Sequence, residues 1–487
     1  MRALKICLVS SEATPFAKTG GLADVTSSIA RHLHKKKHDV RLVMPHYARV
    51  KAGGYELTPA PELQDIGVRC GERVYYFSVS TAKLPKSPVR VFFVRCPELY
   101  DREGIYTQDA DEHMRFVLLQ RAALEICQRM QWAPDIVHCN DWHTALIPLY
   151  LKTVYAWDKL FAKTRTVLTI HNIGYQGVVG ADRLGGLGLS NERNFLHQQD
   201  LNAGQINFLK TGILYANAIT TVSRTYAREI QTDEFGVGLA DLLRRRSDHL
   251  FGIVNGVDYE EWNPRKDTLI PFRFSERDLR GKEDNKKALH EKLGLRYAAD
   301  VPLVGIVSRL TGQKGFELLP EVLPALMQRE DLRLVVLGSG EERIENYFAR
   351  AQTTYAGRVA FNNRFDNGLA HLIEAASDMF VMPSRYEPCG LNQMYSLRYG
   401  AVPIVRRTGG LADTVLPWNP QTGEGTGFLF DEFEPEALYH AWLQAMATYR
   451  DGPAWQRIVQ NGMSQDFSWD HQIDQYIELY SKLAPPP

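Results

Sequence analysis

A chain of 487 residues, 44% hydrophobic and 23% charged, has the composition of a globular protein and the length for two or three domains. Its 57 basic and 57 acidic side chains cancel, which gives no support for a nucleic-acid partner, and no apolar run is long enough to span a membrane. The six scattered cysteines include no Cys-x-x-Cys pair and no Cys/His cluster, so they read as free thiols in a reducing cytoplasm and not as a zinc site.

Leu4–Val9 is an apolar run that reads as a buried strand, not a signal peptide. After it comes Lys18-Thr19-Gly20-Gly21-Leu22-Ala23-Asp24-Val25, and then a helix predicted over Ser27–His34. Paired glycines let a ligand approach the backbone, a helix N-terminus offers free N–H groups to an anion, and Lys18 adds positive charge. A tight turn with a solvated lysine fits the loop alone equally well. Arg407-Thr408-Gly409-Gly410-Leu411-Ala412-Asp413-Thr414 repeats the pattern after the apolar run Val402–Val405, which suggests two similar halves facing one ligand. The basic run Arg31–His38 reads as the solvated end of a helix.

Further strands are predicted at Val40–Met44, Val89–Val94, Ile136–His138, Thr166–Ile170 and Ala218–Val222 in the first half. In the second half they fall at Leu250–Val254, Leu303–Val307, Leu332–Leu337, Val359–Phe361, Met379–Met382 and Val402–Val405. Most are short and unalternating, as strands buried on both faces are. Helical stretches such as Met114–Arg129, Gly315–Gln328 and Leu369–Ala376 separate them, so the fold class is α/β with two doubly wound domains. The charged stretch Arg244–Asp248 marks the expected boundary, giving domains 1–248 and 249–468. A terminal helix over Trp469–Leu483 has Ile473, Tyr476, Ile477 and Tyr480 at helical spacing, and the Pro485–Pro487 tail reads as disordered.

Ligands of such sheets bind beyond the carboxyl ends of the strands. Those ends carry Ser10-Ser11-Glu12, Asn140-Asp141-Trp142-His143, His171-Asn172 and Asn255-Gly256-Val257-Asp258, and later Ser308-Arg309, Gly338-Ser339-Gly340 and Ser384-Arg385. Arg309 and Lys314 in Ser308–Gly315 sit where a strand opens into a helix, which suits a diphosphate. Glu387, before Pro388-Cys389-Gly390-Leu391, is placed to accept hydrogen bonds from sugar hydroxyls. Cys389 reads as packing more often than as a nucleophile. His171 stands as an acid/base, a packed residue or, least favoured, a metal ligand; Asp141 and His143 as hydroxyl binders or as mutual orienters. Together these residues argue for glycosyl transfer from a nucleotide-sugar, with rate drawn from positioning and charge stabilisation.

The stretches Lys18–Val25, Asp141–His143, Thr169–Asn172, Asn255–Asp258, Val307–Gly315, Pro383–Leu391 and Val405–Val415 occur in the order found in bacterial glycogen synthases and plant starch synthases, and the resemblance runs from about Ala3 to about Tyr480. It is a resemblance to the ADP-glucose-dependent synthases of glycosyltransferase family 5. It implies the GT-B fold, two Rossmann-like domains facing a central cleft, with the last helix (469–487) crossing back to the first domain. It also implies a cytoplasmic enzyme that transfers glucose from ADP-glucose to a growing α-1,4-glucan, with retention and without a metal or other cofactor. Membrane and nucleic-acid partners are not implied, and a monomer or small homo-oligomer is.

By position, the resemblance gives Arg309 and Lys314 the diphosphate. Lys18 with the Gly20-Gly21 backbone closes on the phosphates, Glu387 binds the glucose hydroxyls, and the His171-Asn172 stretch lies at the sugar. Asp141 and Asn255 contact sugar hydroxyls, Cys389-Gly390-Leu391 line the donor site, Phe365 stacks on adenine, and Tyr100 and Tyr175 line the acceptor side. Glu12 and Asp24 are supporting residues. The sequence departs from the family at Asn392, where threonine is common, and in Asn362–Asn367 beside the base. Tyr395 stands eight residues after Glu387 where many related transferases have glutamate, which favours front-face displacement over a covalent intermediate. Alternatives are a UDP-glucose or short-acceptor transferase and a non-catalytic glucan-binding protein. A nicotinamide dehydrogenase ranks last, because the glycine loop lacks the dinucleotide spacing.

Overall fold

The computed structural model describes residues 2–364 and 366–484. It divides into two compact units. The first holds the chain to Val222, Ala227–Gly256 and the segment from Trp469, and the second holds Ser223–Tyr226 and Val257–Ser468.

In the first unit the strands are β1 (Lys5–Val9), β2 (Asp39–Pro45), β3 (Thr58–Pro59), β4 (Ile66–Cys70), β5 (Arg73–Lys83), β6 (Arg90–Arg95) and β7 (Ile136–Asn140). They are followed by β8 (Arg165–Ile170), β9 (Val178–Gly180), β10 (Gln205–Asn207), β11 (Ala218–Thr221) and β12 (Leu250–Gly252). One sheet has the order β12-β11-β8-β7-β1-β2-β6-β5-β3, with β4 on β5, while β9 and β10 pair separately. From β12 to β6 all neighbours are parallel. β1 is its buried centre: Leu8 pairs with Leu42 on one side and His138 on the other.

The second unit carries β13 (Leu303–Val307), β14 (Arg333–Leu337), β15 (Val359–Asn362), β16 (Met379–Met382), β17 (Val402–Arg406) and β18 (Phe428–Phe430). They form a parallel sheet of order β15-β14-β13-β16-β17-β18. This is the doubly wound 3-2-1-4-5-6 order, with its topological switch between β13 and β16. Buried Val, Ile and Leu side chains from these strands pack on both faces of the sheet, as parallel strands require.

All twelve apolar runs lie on strands. The structure adds β3, β4, β5, β9, β10 and β18. β4 and the start of β5 alternate buried and exposed, the signature of an antiparallel ribbon with one solvated face, so they escape a reading tuned to continuous apolar runs. Three expectations are corrected. The helix after the glycine loop spans Gly21–Lys35, since Leu22, Ala23, Val25 and Thr26 are already buried on its inner face. The boundary falls after Gly256 rather than at 248, because Leu250–Gly252 pairs in parallel with β11 as the last strand of the first sheet. The basic run is not merely solvated: Lys35 and Lys36 form ion pairs of 2.7 and 2.6 Å with Asp470 and Asp474 of the terminal helix.

That helix spans Trp469–Leu483, as the spacing predicts, and packs in the first unit, burying Trp469, Ile473, Tyr476, Ile477 and Tyr480. The Pro485–Pro487 tail lies outside the described residues. At the helix start the Trp469 ring lies flush on Gly256, where an added Cβ would come within 2.7 Å of the indole. Gly256→Ala therefore overpacks this junction, at a cost of about 1–3 kcal/mol; thermal unfolding should show a Tm several degrees below the unsubstituted protein.

Candidate active site

The two switch points gather the polar strand ends into two half-sites. In the first unit the switch lies between β7 and β1, the strands that lead into Asn140–His143 and into Ser10–Gly20. In the second it lies between β13 and β16, the strands that lead into Ser308–Gly315 and Pro383–Leu391.

Glu12 shapes the glycine loop in the first unit. Its buried carboxylate accepts the Thr19 N–H at 2.5 Å, the Thr19 hydroxyl at 2.7 Å, the Gly20 N–H at 3.4 Å and the Tyr106 hydroxyl at 2.6 Å. Gly20 is extended, a conformation open to any residue, yet no atom lies within 4 Å of where its Cβ would be. The missing side chain therefore leaves room rather than relieving the backbone. Gly20 also brings no side-chain cap to the helix that begins at Gly21, so donors of the first turn remain for an anion. Lys18, half exposed, pairs at 2.7 Å with Asp24, whose other oxygen accepts from Thr14.

Asp141 is buried and holds a φ of 55°, rare for a residue with a side chain. Its Oδ1 accepts the His171 N–H at 2.7 Å. Burial pushes its pKa up to about 7, opposed by the N–H groups of His171 and Asn172. Burial also lowers His171 to about 3, so its ring is neutral. Asn140 fixes the tautomer: its Nδ2 donates to the Val9 carbonyl, which leaves Oδ1 to accept from His171 Nε2 at 2.9 Å. His171 Nδ1 is then the acceptor. Asn172 uses its side-chain oxygen on the Gly174 N–H, turning the loop towards the exposed Tyr175. Asn255 is buried, and its Oδ1 has no hydrogen-bond partner among the described residues.

Tyr100 is corrected. It is fully buried and donates to the Arg115 carbonyl at 2.6 Å, so it lines no acceptor surface. The tyrosine that reaches the site is Tyr106, which sequence reasoning missed. Its hydroxyl meets Ser11 as well as Glu12, and its ring stacks on His143 with centroids 4.9 Å apart. Only its neighbours in space reveal it.

In the second unit Lys314 Nζ lies 2.6 Å from Glu387 Oε2, which also accepts from Ser384 Oγ at 3.0 Å. Arg309 is exposed, and its side chain makes no hydrogen bond or ion pair to a described residue. Leu391 is the N-cap of the helix Asn392–Tyr399, which has no side-chain cap. Gly390 and Leu391 are half-buried and Cys389 is buried. Asn392 donates to the Val307 carbonyl, tying that helix to β13 rather than facing outward. Phe365 lies outside the described residues.

The second glycine pair does not repeat the role of the first. A Cβ on Gly409 would fall 1.8 Å from the Glu387 carbonyl oxygen, and one on Gly410 would fall 1.9 Å from that of Cys389; the Gly410 N–H donates to Glu387 O at 3.0 Å. These glycines let the backbone press against the Glu387–Cys389 segment. Among the described residues no group of His, Cys, Asp or Glu forms a metal cluster, and no helix is long and apolar enough to cross a membrane.

Two Rossmann-like units with such half-sites define a glycosyltransferase of the GT-B fold. Residues 5–245 match the family described as starch synthase catalytic domain, and residues 288–463 match glycosyl transferases group 1. The chain is 43% identical to the glycogen synthase of Geotalea daltonii, covering 98% of each, and 43% identical to that of Thermotoga maritima, covering 98% of this chain and 99% of that one. Its structure superposes, with a TM-score of 0.90, on the catalytic domain of starch synthase IV from Arabidopsis thaliana bound to ADP and acarbose, at 34% identity over 99% of this chain and 100% of the other. The chain belongs to the family of glycogen and starch synthases.

Two predictions follow from this geometry. Gly20→Ala should leave Tm unchanged while raising the donor KM at least several-fold, whereas Gly410→Ala should lower Tm by several degrees, as differential scanning and initial rates would show. Asp141 has a folded pKa above its unfolded value, so its contribution to stability is fully present below about pH 4 and is lost as pH rises through about 7. Asp141→Asn should flatten that part of the stability–pH curve, gaining stability at pH 8 relative to pH 5 while turnover falls.

Proposed function

We propose that this chain transfers glucose from ADP-glucose to the non-reducing end of an α-1,4-glucan, with retention, in the cytoplasm. The observation that carries the reading is the contact at the second switch point. A cation suited to a diphosphate, Lys314, lies 2.6 Å from a carboxylate suited to sugar hydroxyls, Glu387. Phosphate and sugar of a nucleotide-sugar are joined by one oxygen, so both recognition groups must be adjacent.

In this reading Arg309, which pairs with no acid among the described residues, and Lys314 hold the diphosphate and stabilise it as it leaves. Glu387 accepts from the glucose hydroxyls. Lys18 and the uncapped first turn that begins at Gly21, with Gly20 leaving room beside it, meet the same phosphates, and neutral His171 accepts a sugar hydroxyl at Nδ1. The cationic side chains supply the charge that a metal provides elsewhere, so no metal or other cofactor takes part. Asp141 and Asn255 contact sugar hydroxyls; Cys389, Gly390 and Leu391 line the donor site; Phe365 meets the base, and Tyr175 the acceptor. The protein acts as a monomer or small homo-oligomer.

The test is incorporation of labelled glucose into glycogen from ADP-glucose and from UDP-glucose, without added metal. Preference for ADP-glucose is expected. Transfer only from UDP-glucose overturns the donor, and no transfer from either by folded protein overturns the reading. Glu387→Gln and Lys314→Ala should each cut kcat/KM by about 10²–10⁴-fold with far-ultraviolet circular dichroism unchanged.

A further inference from the structure

Polar side chains in the middle of a buried sheet are costly unless each is hydrogen-bonded. The first unit keeps four of them in one row. The Tyr480 hydroxyl, on the terminal helix, lies 2.7 Å from His138 Nδ1. His138 Nε2 lies 2.5 Å from Thr169 Oγ1, which lies 2.6 Å from Thr220 Oγ1. The row runs from the helix across β7, β8 and β11, and all four residues are fully buried. An apolar set of the same volume would pack the helix without these polar groups.

The row stands one step from the site. On a strand, side chains two positions apart share a face. His138 and Asn140 are two apart on β7, and Thr169 is two before His171 at the end of β8. Asn140 is the residue that holds His171 through Nε2. We infer that Tyr480 is a positioning residue for the transfer reaction: through His138 and Thr169 the docked terminal helix sets the ends of β7 and β8, so that Asn140 presents His171 in the working orientation. This rests on the reading of His171 as a ligand of the donor sugar.

The row also has a direction. Burial raises the Tyr480 phenol well above its usual range and lowers His138 to about 3, so the phenol keeps its proton and the imidazole is neutral. A neutral imidazole has one donor and one acceptor. Tyr480 donates to Nδ1, Nε2–H donates to Thr169, and Thr169 donates to Thr220. Removing the phenol hydroxyl frees His138 to change tautomer, which reverses the row beneath His171.

The experiment is a double-mutant cycle on kcat in the full-length enzyme with ADP-glucose and glycogen, using Tyr480→Phe, His171→Ala and their combination. Tyr480→Phe is expected to lose about five-fold in kcat, with donor KM within about two-fold and Tm within a few degrees. It is expected to cost nothing further once His171 is alanine. Thr169→Val breaks the same row inside the sheet and should reproduce the loss, which keeps the test decisive if Tyr480→Phe folds poorly. Asp470→Asn with Asp474→Asn loosens the helix at its surface without touching the row and should keep wild-type kcat. The inference is overturned if Tyr480→Phe turns over normally, if its loss is equally large without His171, or if the Asp470 and Asp474 changes slow turnover as much. A fully active His171→Ala enzyme overturns both the role of His171 and this inference, while incorporation by the unsubstituted enzyme leaves the transfer reading standing.

Discussion

A carboxylate removed from water must be given donors, and the site loops of this protein take their shape from that requirement. Glu12, Asp141 and Glu387 are each buried at the end of a parallel strand or in the loop after it. Glu12 gathers Thr19, Gly20 and Tyr106; Asp141 gathers the backbone of His171; Glu387 gathers Lys314 and Ser384. In each case at least one donor comes from a distant part of the chain: Tyr106 for Glu12, His171 for Asp141 and Lys314 for Glu387. Asp141 and Glu387 thus each fasten two strand ends together, and Glu12 ties the end of β1 to the Tyr106 loop.

Much of this was legible before any coordinates. Each of the twelve runs read as strands is one, because a parallel strand covered on both faces has little choice but Val, Ile, Leu and Met. The motifs at strand ends were legible for the same reason: a polar stretch that follows such a run must lie at its carboxyl end. The β4–β5 ribbon was not, since its alternation carries a different period; β12 was legible as a strand but not as part of the first sheet, because its three residues are half exposed at a sheet edge and look the same from either side of a boundary.

What stayed hidden depends on partners far apart in the chain. Lys314 and Glu387 each looked like a free charge; their pairing spans 73 residues and follows only from the adjacency of β13 and β16. Tyr100 and Tyr106 are six residues apart, one ending the short helix Pro97–Tyr100 and the other in the loop after it, and local sequence favours neither. Arg115 decides between them, since its buried guanidinium takes the carbonyls of Leu99, Gly104 and Ile105 and its own carbonyl takes the Tyr100 hydroxyl, turning Tyr100 inward and leaving Tyr106 at the site.

The two Thr-Gly-Gly-Leu-Ala-Asp stretches show how far a shared word can mislead. Both follow a strand, and both open a helix at a glycine. At Gly20 the space beside the backbone is empty; at Gly409 and Gly410 it is filled by the carbonyls of Glu387 and Cys389. The same absence of a side chain leaves open space in one place and allows close packing of two backbones in the other. Sequence reports only that a Cβ is not wanted. Whether a ligand or the protein itself occupies the space is fixed by the strand on the other side. In the second unit that strand is β16, neighbour to β17, so the second pair supports Glu387 from behind, while Gly20 has open space beside it.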